Sequence, residues 1–176
     1  MNKVCLMIRK IMNKVIIFRK KDFVVSYYKK NGIKIGSGCL ICTPLLLEEP
    51  YLLEIGNNVT ISSQIKFLTH DYSIHNVIGK STLYGKITIG NNCFLGNNSI
   101  LLPGVTLGDN IIVGAGSVVT KSFKEPNIIV AGNPARKIGT WNDFKLKYEQ
   151  FGICHGGSKK DIKNAVMQNV DKLLIK

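Results

Sequence analysis

A period of six residues runs through the middle of this 176-residue chain and limits its fold more than any other feature. Ile89, Leu95, Leu101, Leu107, Val113 and Val119 fall at that spacing. Gly90, Gly96, Gly108 and Gly114 directly follow four of them, and Cys93, Ser99, Val105, Ile111 and Ser117 recur four residues on. The pattern begins earlier, at Ile35-Gly36 and Ile41, and resumes at Ile55-Gly56-Asn57-Asn58-Val59, Ile61 and Phe67. A helix repeats at about 3.6 residues and a strand at about 2, so neither accounts for it. A short strand followed by a tight corner does. The aliphatic side chain turns inward, and Gly or Asn takes the corner where positive φ is required. Three such sides close one coil of a prism, and stacked coils place the aliphatics in one continuous column. The chain is therefore expected to be an all-β solenoid.

The repeat breaks twice. Between Leu47 and Ile55 the phase slips by two residues, which marks an insertion. Residues 68–86 form a longer excursion carrying Thr69, His70, Asp71, Tyr72, Ser73, His75 and Tyr84. Long loops on a rigid scaffold tend to carry function. The ends lie outside the repeat. Residues 3–30 read as a basic amphipathic helix, and residues 159–175 as a second helix, capped by Ser158 with Asp161 in the first turn. Its apolar positions Ile162, Ala165, Val166, Val170, Leu173 and Leu174 have helical spacing. The expected organisation is a basic helical segment at 1–32, a solenoid at 33–139 with its loop at 68–86, and a helical tail at 140–176.

Charge and cysteines narrow the function classes. The chain carries a formal net charge of +13, concentrated in residues 1–30, where nine Lys and Arg face Asp22 alone. Such a surface attracts nucleic acid, anionic lipid or a polyanionic small molecule. No zinc-finger spacing, aromatic RNA-binding signature or helix-turn-helix pattern is present, so nucleic acid is not expected. A basic front suits a solvated helix and an anionic membrane surface alike. No apolar run approaches the roughly 18 residues that span a bilayer. Arg9, Lys10 and Lys14 interrupt the apolar N-terminal stretches, so a secretory leader is not expected and the location reads as cytoplasmic, at most at the inner membrane face. Cys5, Cys39, Cys42, Cys93 and Cys154 are odd in number and scattered, which argues for inert thiols over a disulfide framework or a zinc site.

The repeats, Thr69-His70-Asp71 on a loop, Val118-Val119-Thr120-Lys121 and Ala131-Gly132-Asn133-Pro134-Ala135-Arg136 together resemble the hexapeptide-repeat acetyltransferases. The resemblance covers roughly residues 33–139 and is nearest to maltose/galactoside and surface-polysaccharide O-acetyltransferases. It implies a left-handed parallel β-helix, a homotrimer with sites between adjacent subunits, and acetyl-CoA as donor without a metal. It implies His70 as catalytic base. It also implies a donor groove in which Asn97 lies near the thioester, the Ala115 amide meets the pantetheine, and Thr120 and Lys121 stand near the far end. Arg136 would meet phosphate, and Phe94 stands where some relatives carry tryptophan. The acceptor-binding region of the maltose/galactoside enzymes has no clear counterpart, since Pro44 to Tyr51 and the basic segment stand in its place. That departure shifts the expected acceptor towards a surface-polysaccharide precursor.

The chemistry fits those residues. A sugar hydroxyl keeps its proton at neutral pH, and a histidine near pKa 6.5 can take it as attack on the thioester begins. Asp71 would orient the ring, bind the acceptor or cap the loop. Other readings stay open: N-acetylation of an amino-sugar, a non-catalytic scaffold, or a zinc site using His70 and His75. That zinc site would need a third histidine, and only His155, far downstream, is left.

Overall fold

The computed structural model describes residues 21–79 and 81–174. They divide into two compact units, residues 1–138 and 139–176. The first is a solenoid of two- to five-residue parallel strands laid out as three sheets, followed by a six-residue strand. One face stacks β1 (Lys34–Ile35), β3 (Leu53–Ile55), β8 (Ile87–Ile89) and β11 (Thr106–Leu107). The second stacks β2 (Leu40–Ile41), β4 (Thr60–Ile61), β9 (Phe94–Leu95), β12 (Ile111–Val113), β14 (Ile128–Gly132) and β15 (Ala135–Thr140). The third stacks β5 (Lys66–Phe67), β10 (Ile100–Leu101) and β13 (Val118–Val119).

Register confirms the six-residue reading. Ile89 pairs with Leu107, Leu95 with Val113 and Leu101 with Val119, each one 18-residue coil apart. Ile35 and Ile55 pair at 20 residues, which is the two-residue slip, and Ile55 and Ile89 at 34, which spans the loop. The in-phase aliphatics from Ile35 to Val119 are buried, except Leu47 at the break, which is half-buried, and so are Cys93, Ser99, Val105, Ile111 and Ser117. Each large one stabilises the column by about 1.5–3 kcal/mol.

The glycines serve a different purpose from the one expected. Positive φ falls three residues after most of the aliphatics, at Gly38, Asn58, Gln64, Asn92, Asn98, Gly104, Asn110 and Gly116. Gly90 and Gly96 lie outside that region and are instead fixed by close approach: a Cβ on Gly90 would sit 2.6 Å from the Gly108 backbone, and one on Gly96 2.6 Å from the Ala115 nitrogen. At one edge the corner asparagines form a ladder, with Asn58 Nδ2 donating to Asn92 Oδ1 at 3.2 Å, Asn92 to Asn110 at 3.1 Å and Asn110 to Asn127 at 2.8 Å.

At the start of the solenoid, α1 (Lys21–Lys30) packs against β1 and β2. Its Tyr28 is buried and its phenolic oxygen accepts from the Leu45 amide at 3.0 Å. The earlier part of the expected basic helix lies outside the described residues. The excursion at 68–86 is a hairpin in which β6 (His70–Asp71) pairs antiparallel with β7 (Leu83–Tyr84), with α2 (His75–Ile78) between them.

The second unit holds α3 (Trp141–Tyr148) and α4 (Lys159–Gln168), each opened by a reciprocal capping box, Thr140 with Asp143 and Ser158 with Asp161. The helix expected over 159–175 stops at Gln168, because the Asn169 side chain takes the Ala165 carbonyl at 2.8 Å and a single 3₁₀ turn, Val170–Lys172, follows. No helix among the described residues is long and apolar enough to cross a membrane.

Candidate active site

The hairpin leaves the solenoid at the edge between the third and first faces, directly after β5. Thr69 and His70 begin it. The two-residue slip brings a second segment to the same place: Glu49, just before the 3₁₀ turn Pro50–Leu52. Its carboxylate oxygen Oε2 accepts from Thr69 Oγ1 at 2.7 Å and meets His70 Nδ1 at 2.9 Å. The Glu49 side chain is 11% exposed and that of His70 is 37% exposed. Hydrogen bonds from His70 and Thr69 hold the Glu49 carboxyl below its usual range, so it is ionised. A carboxylate only accepts, so Nδ1 carries the proton and Nε2 keeps its lone pair. The bond to Glu49 also lifts His70 above the ordinary imidazole value. The result is an imidazole fixed at one nitrogen and basic at the other.

Asp71 does not orient that ring. Neighbours on a strand point to opposite faces, and Asp71 Oδ1 instead accepts from the Ser73 amide at 2.8 Å, which caps the turn into α2. The Asp71 carboxyl is held low chiefly by that amide. Glu49 fills the orienting position, and sequence reasoning did not single it out. The only sign of it was the phase slip between Leu47 and Ile55.

The structure divides the donor-side residues between edges. Asn97 and Ala115 occupy the same corner of consecutive coils, between the second and third faces, where Gly116 N donates to Asn97 O at 2.8 Å. The Asn97 side chain accepts from the Ser63 amide at 3.1 Å, which leaves it as part of the corner. Phe94 points outward from β9 and is 43% exposed. Thr120 and Lys121 follow β13 at the edge that bears the hairpin, two strands along from β5, or about 9–10 Å. Lys121 Nζ lies 5.7 Å from the centre of the Phe123 ring. Arg136 is exposed on β15, with Nη1 donating to the Ala135 carbonyl at 3.0 Å. Within one chain, therefore, His70 stands at a different edge from Asn97 and Ala115.

Other candidate groups take structural places. Cys39 and Cys93 are buried, their thiols donating to the Gly56 and Gly108 carbonyls at 3.2 and 3.1 Å. His75 stacks on Tyr72 with ring centres 4.6 Å apart, and His155 Nδ1 meets the Gly156 carbonyl at 2.8 Å. Among the described residues, one set of metal-competent donors converges, Glu48, Glu49 and His70, with ligand atoms within 4.8 Å of one another. Neither His75 nor His155 belongs to it.

Comparison with known proteins adds four findings. Residues 86–121 match the model of the hexapeptide repeat of succinyl-transferase. The chain is 42% identical over 134 residues to Protein CapG of Staphylococcus aureus, covering 73% of this chain and 77% of that protein. It is 37% identical over 120 residues to the galactoside O-acetyltransferase of Escherichia coli, covering 67% of this chain and 59% of that enzyme. Among solved structures, a hexapeptide-repeat-containing acetyltransferase from Vibrio cholerae complexed with acetyl coenzyme A superposes with a TM-score of 0.53 at 29% identity, over 62% of this chain and 60% of that one. The chain thus spans about three quarters of CapG and under two thirds of the other two.

Proposed function

The chain belongs to the hexapeptide-repeat acetyltransferase family, and from that premise we propose that it transfers the acetyl group of acetyl-CoA directly to a sugar hydroxyl, with His70 as general base. The observation that carries the reading is the imidazole held at Nδ1 by an ionised Glu49, with Nε2 left basic on a half-exposed ring. In this reading Nε2 takes the acceptor's hydroxyl proton as its oxygen attacks the thioester carbon. The C–S bond breaks as the tetrahedral adduct collapses, and His70 returns the proton to the departing sulfur. Glu49 keeps the tautomer fixed and stabilises the imidazolium that forms in between.

The donor's phosphates need cations and its arm needs backbone polar groups. Exposed Lys121 and Arg136 supply the first and the corner at Asn97 and Ala115 the second. Because His70 and that corner occupy different edges of one chain, the reading includes a left-handed solenoid closed into a homotrimer, with each site shared by two copies. The acceptor is read as a precursor of a surface polysaccharide or related glycan.

Calorimetry with acetyl-CoA on wild type and His70→Ala, followed by thiol release with sugars, tests the proposal. Both proteins should bind the donor, while turnover falls by about 10²–10⁴-fold in the variant. Donor binding by neither protein in the folded state would sink it.

A further inference from the structure

We infer that the acceptor is a sugar ring without negative charge, seated by its apolar face on Tyr84 beside His70. The inference rests on the acetyltransferase reading above. In the hairpin His70 lies directly opposite Tyr84, and opposed residues of an antiparallel pair share a face. Their ring centres are 6.2 Å apart, tilted by 58°. Tyr84 is 62% exposed, so a large aromatic face stands open next to the base.

Its position is fixed by its neighbours. The Gly85 amide donates to the Thr69 carbonyl at 2.9 Å, and Gly85 is pressed so closely onto Pro103 and Gly104 that it has no room for a Cβ. A sugar ring offers C–H bonds on one face and hydroxyls around its rim. The C–H face suits the negative face of an aromatic ring and leaves the hydroxyls free to meet Nε2.

Charge narrows the class. Glu48 and Glu49 reach within 4.8 Å of the His70 ring, and Glu48 is exposed. In the neutral form of His70 that accepts a proton, these two carboxylates have no opposing charge on the ring. A uronic or other acidic sugar placed there meets like charge on both, whereas a neutral or amino-bearing ring does not.

Saturation-transfer NMR on the full chain tests this with methyl β-D-glucopyranoside and methyl β-D-glucuronide as probes, alongside Tyr84→Phe, Tyr84→Ala and Glu48→Gln. Melting curves show that each variant is folded. The glucoside should be saturated through its ring protons in wild type and Tyr84→Phe, and bind roughly fivefold or more weakly in Tyr84→Ala. The glucuronide should bind roughly tenfold more weakly than the glucoside at low salt, the gap narrowing with added salt and in Glu48→Gln. Equal binding of the two glycosides, unchanged binding in Tyr84→Ala, or no glycoside binding in wild type overturns the inference. Acetyl-CoA calorimetry on the same samples separates the two readings: absent donor binding overturns the acetyltransferase proposal while the glycoside results stand by themselves.

Discussion

Glu49 is 21 residues before His70, and a single carboxylate oxygen ties it to both Thr69 and His70. The two partners titrate in opposite directions. His70 is raised, so its share of stability is present below the ordinary imidazole value and is lost as pH rises through its folded value. Glu49 is lowered, so its share is present above the ordinary carboxyl value and is lost as pH falls. The ion pair is therefore strongest between those two limits. A base must be neutral, so turnover should rise with pH through a midpoint above 6.5. In Glu49→Gln the pH–rate profile should show that acidic limb moved to lower pH, and kcat/KM should fall by up to about 10²-fold as the ring loses its fixed orientation. An unmoved limb would remove Glu49 from this role. Asp71→Asn should keep the limb and a kcat/KM near wild type, because Asp71 bonds the Ser73 amide on the opposite face of the strand.

At the scale of elements, each coil is held by two kinds of small residue with different limits. Gly104 has φ of 83° and open space around it, so Gly104→Ala should cost about 1–2 kcal/mol of backbone strain alone. Gly90 has no such φ, yet its Cβ would meet the Gly108 backbone at 2.6 Å and Asp109 Oδ1 at 2.5 Å. Gly90→Ala should therefore cost about 1–3 kcal/mol more, since two coils must separate. Denaturant melts of the two variants measure the difference, and the reverse order would refute the close-approach account. Gly104 stands three residues after its aliphatic, at the corner, and Gly90 directly after its own, so the two hold different places in the six-residue unit. Only the limit on Gly90 depends on the neighbouring coil, 18 residues away. The α4 boundary follows the same logic: its capping box is legible as Ser-x-x-Asp, but its end is set by the Asn169 side chain.

At the scale of the molecule, His70 and the Asn97–Ala115 corner sit at opposite ends of the third face's strands. A shared site follows if the chains associate. Light scattering should give three times the 19.5 kDa chain mass. Two inactive variants, His70→Ala and one in which Ala115→Trp blocks the donor corner, should regain a fraction of activity when refolded together. Mixed trimers then contain some sites with both halves intact. No recovery from a mixed trimer would mean that each site is built within one chain.

The sequence by itself determined the prism, because a six-residue period of inward aliphatics admits few other folds, and the loop where the period fails carried His70, which the resemblance to the acetyltransferases offered as the base. It marked the break at Leu47 to Ile55 without saying what the break delivers. Only the tertiary structure decided that Glu49, and not the adjacent Asp71, holds the imidazole. Strand alternation turns Asp71 away, and stacking of one coil on the next carries Glu49 across 21 residues to reach Nδ1. The strand pairings follow the period, but a contact made by two segments outside it leaves no local trace in composition or spacing, so the partner of His70 could be read only after the chain had folded back on itself.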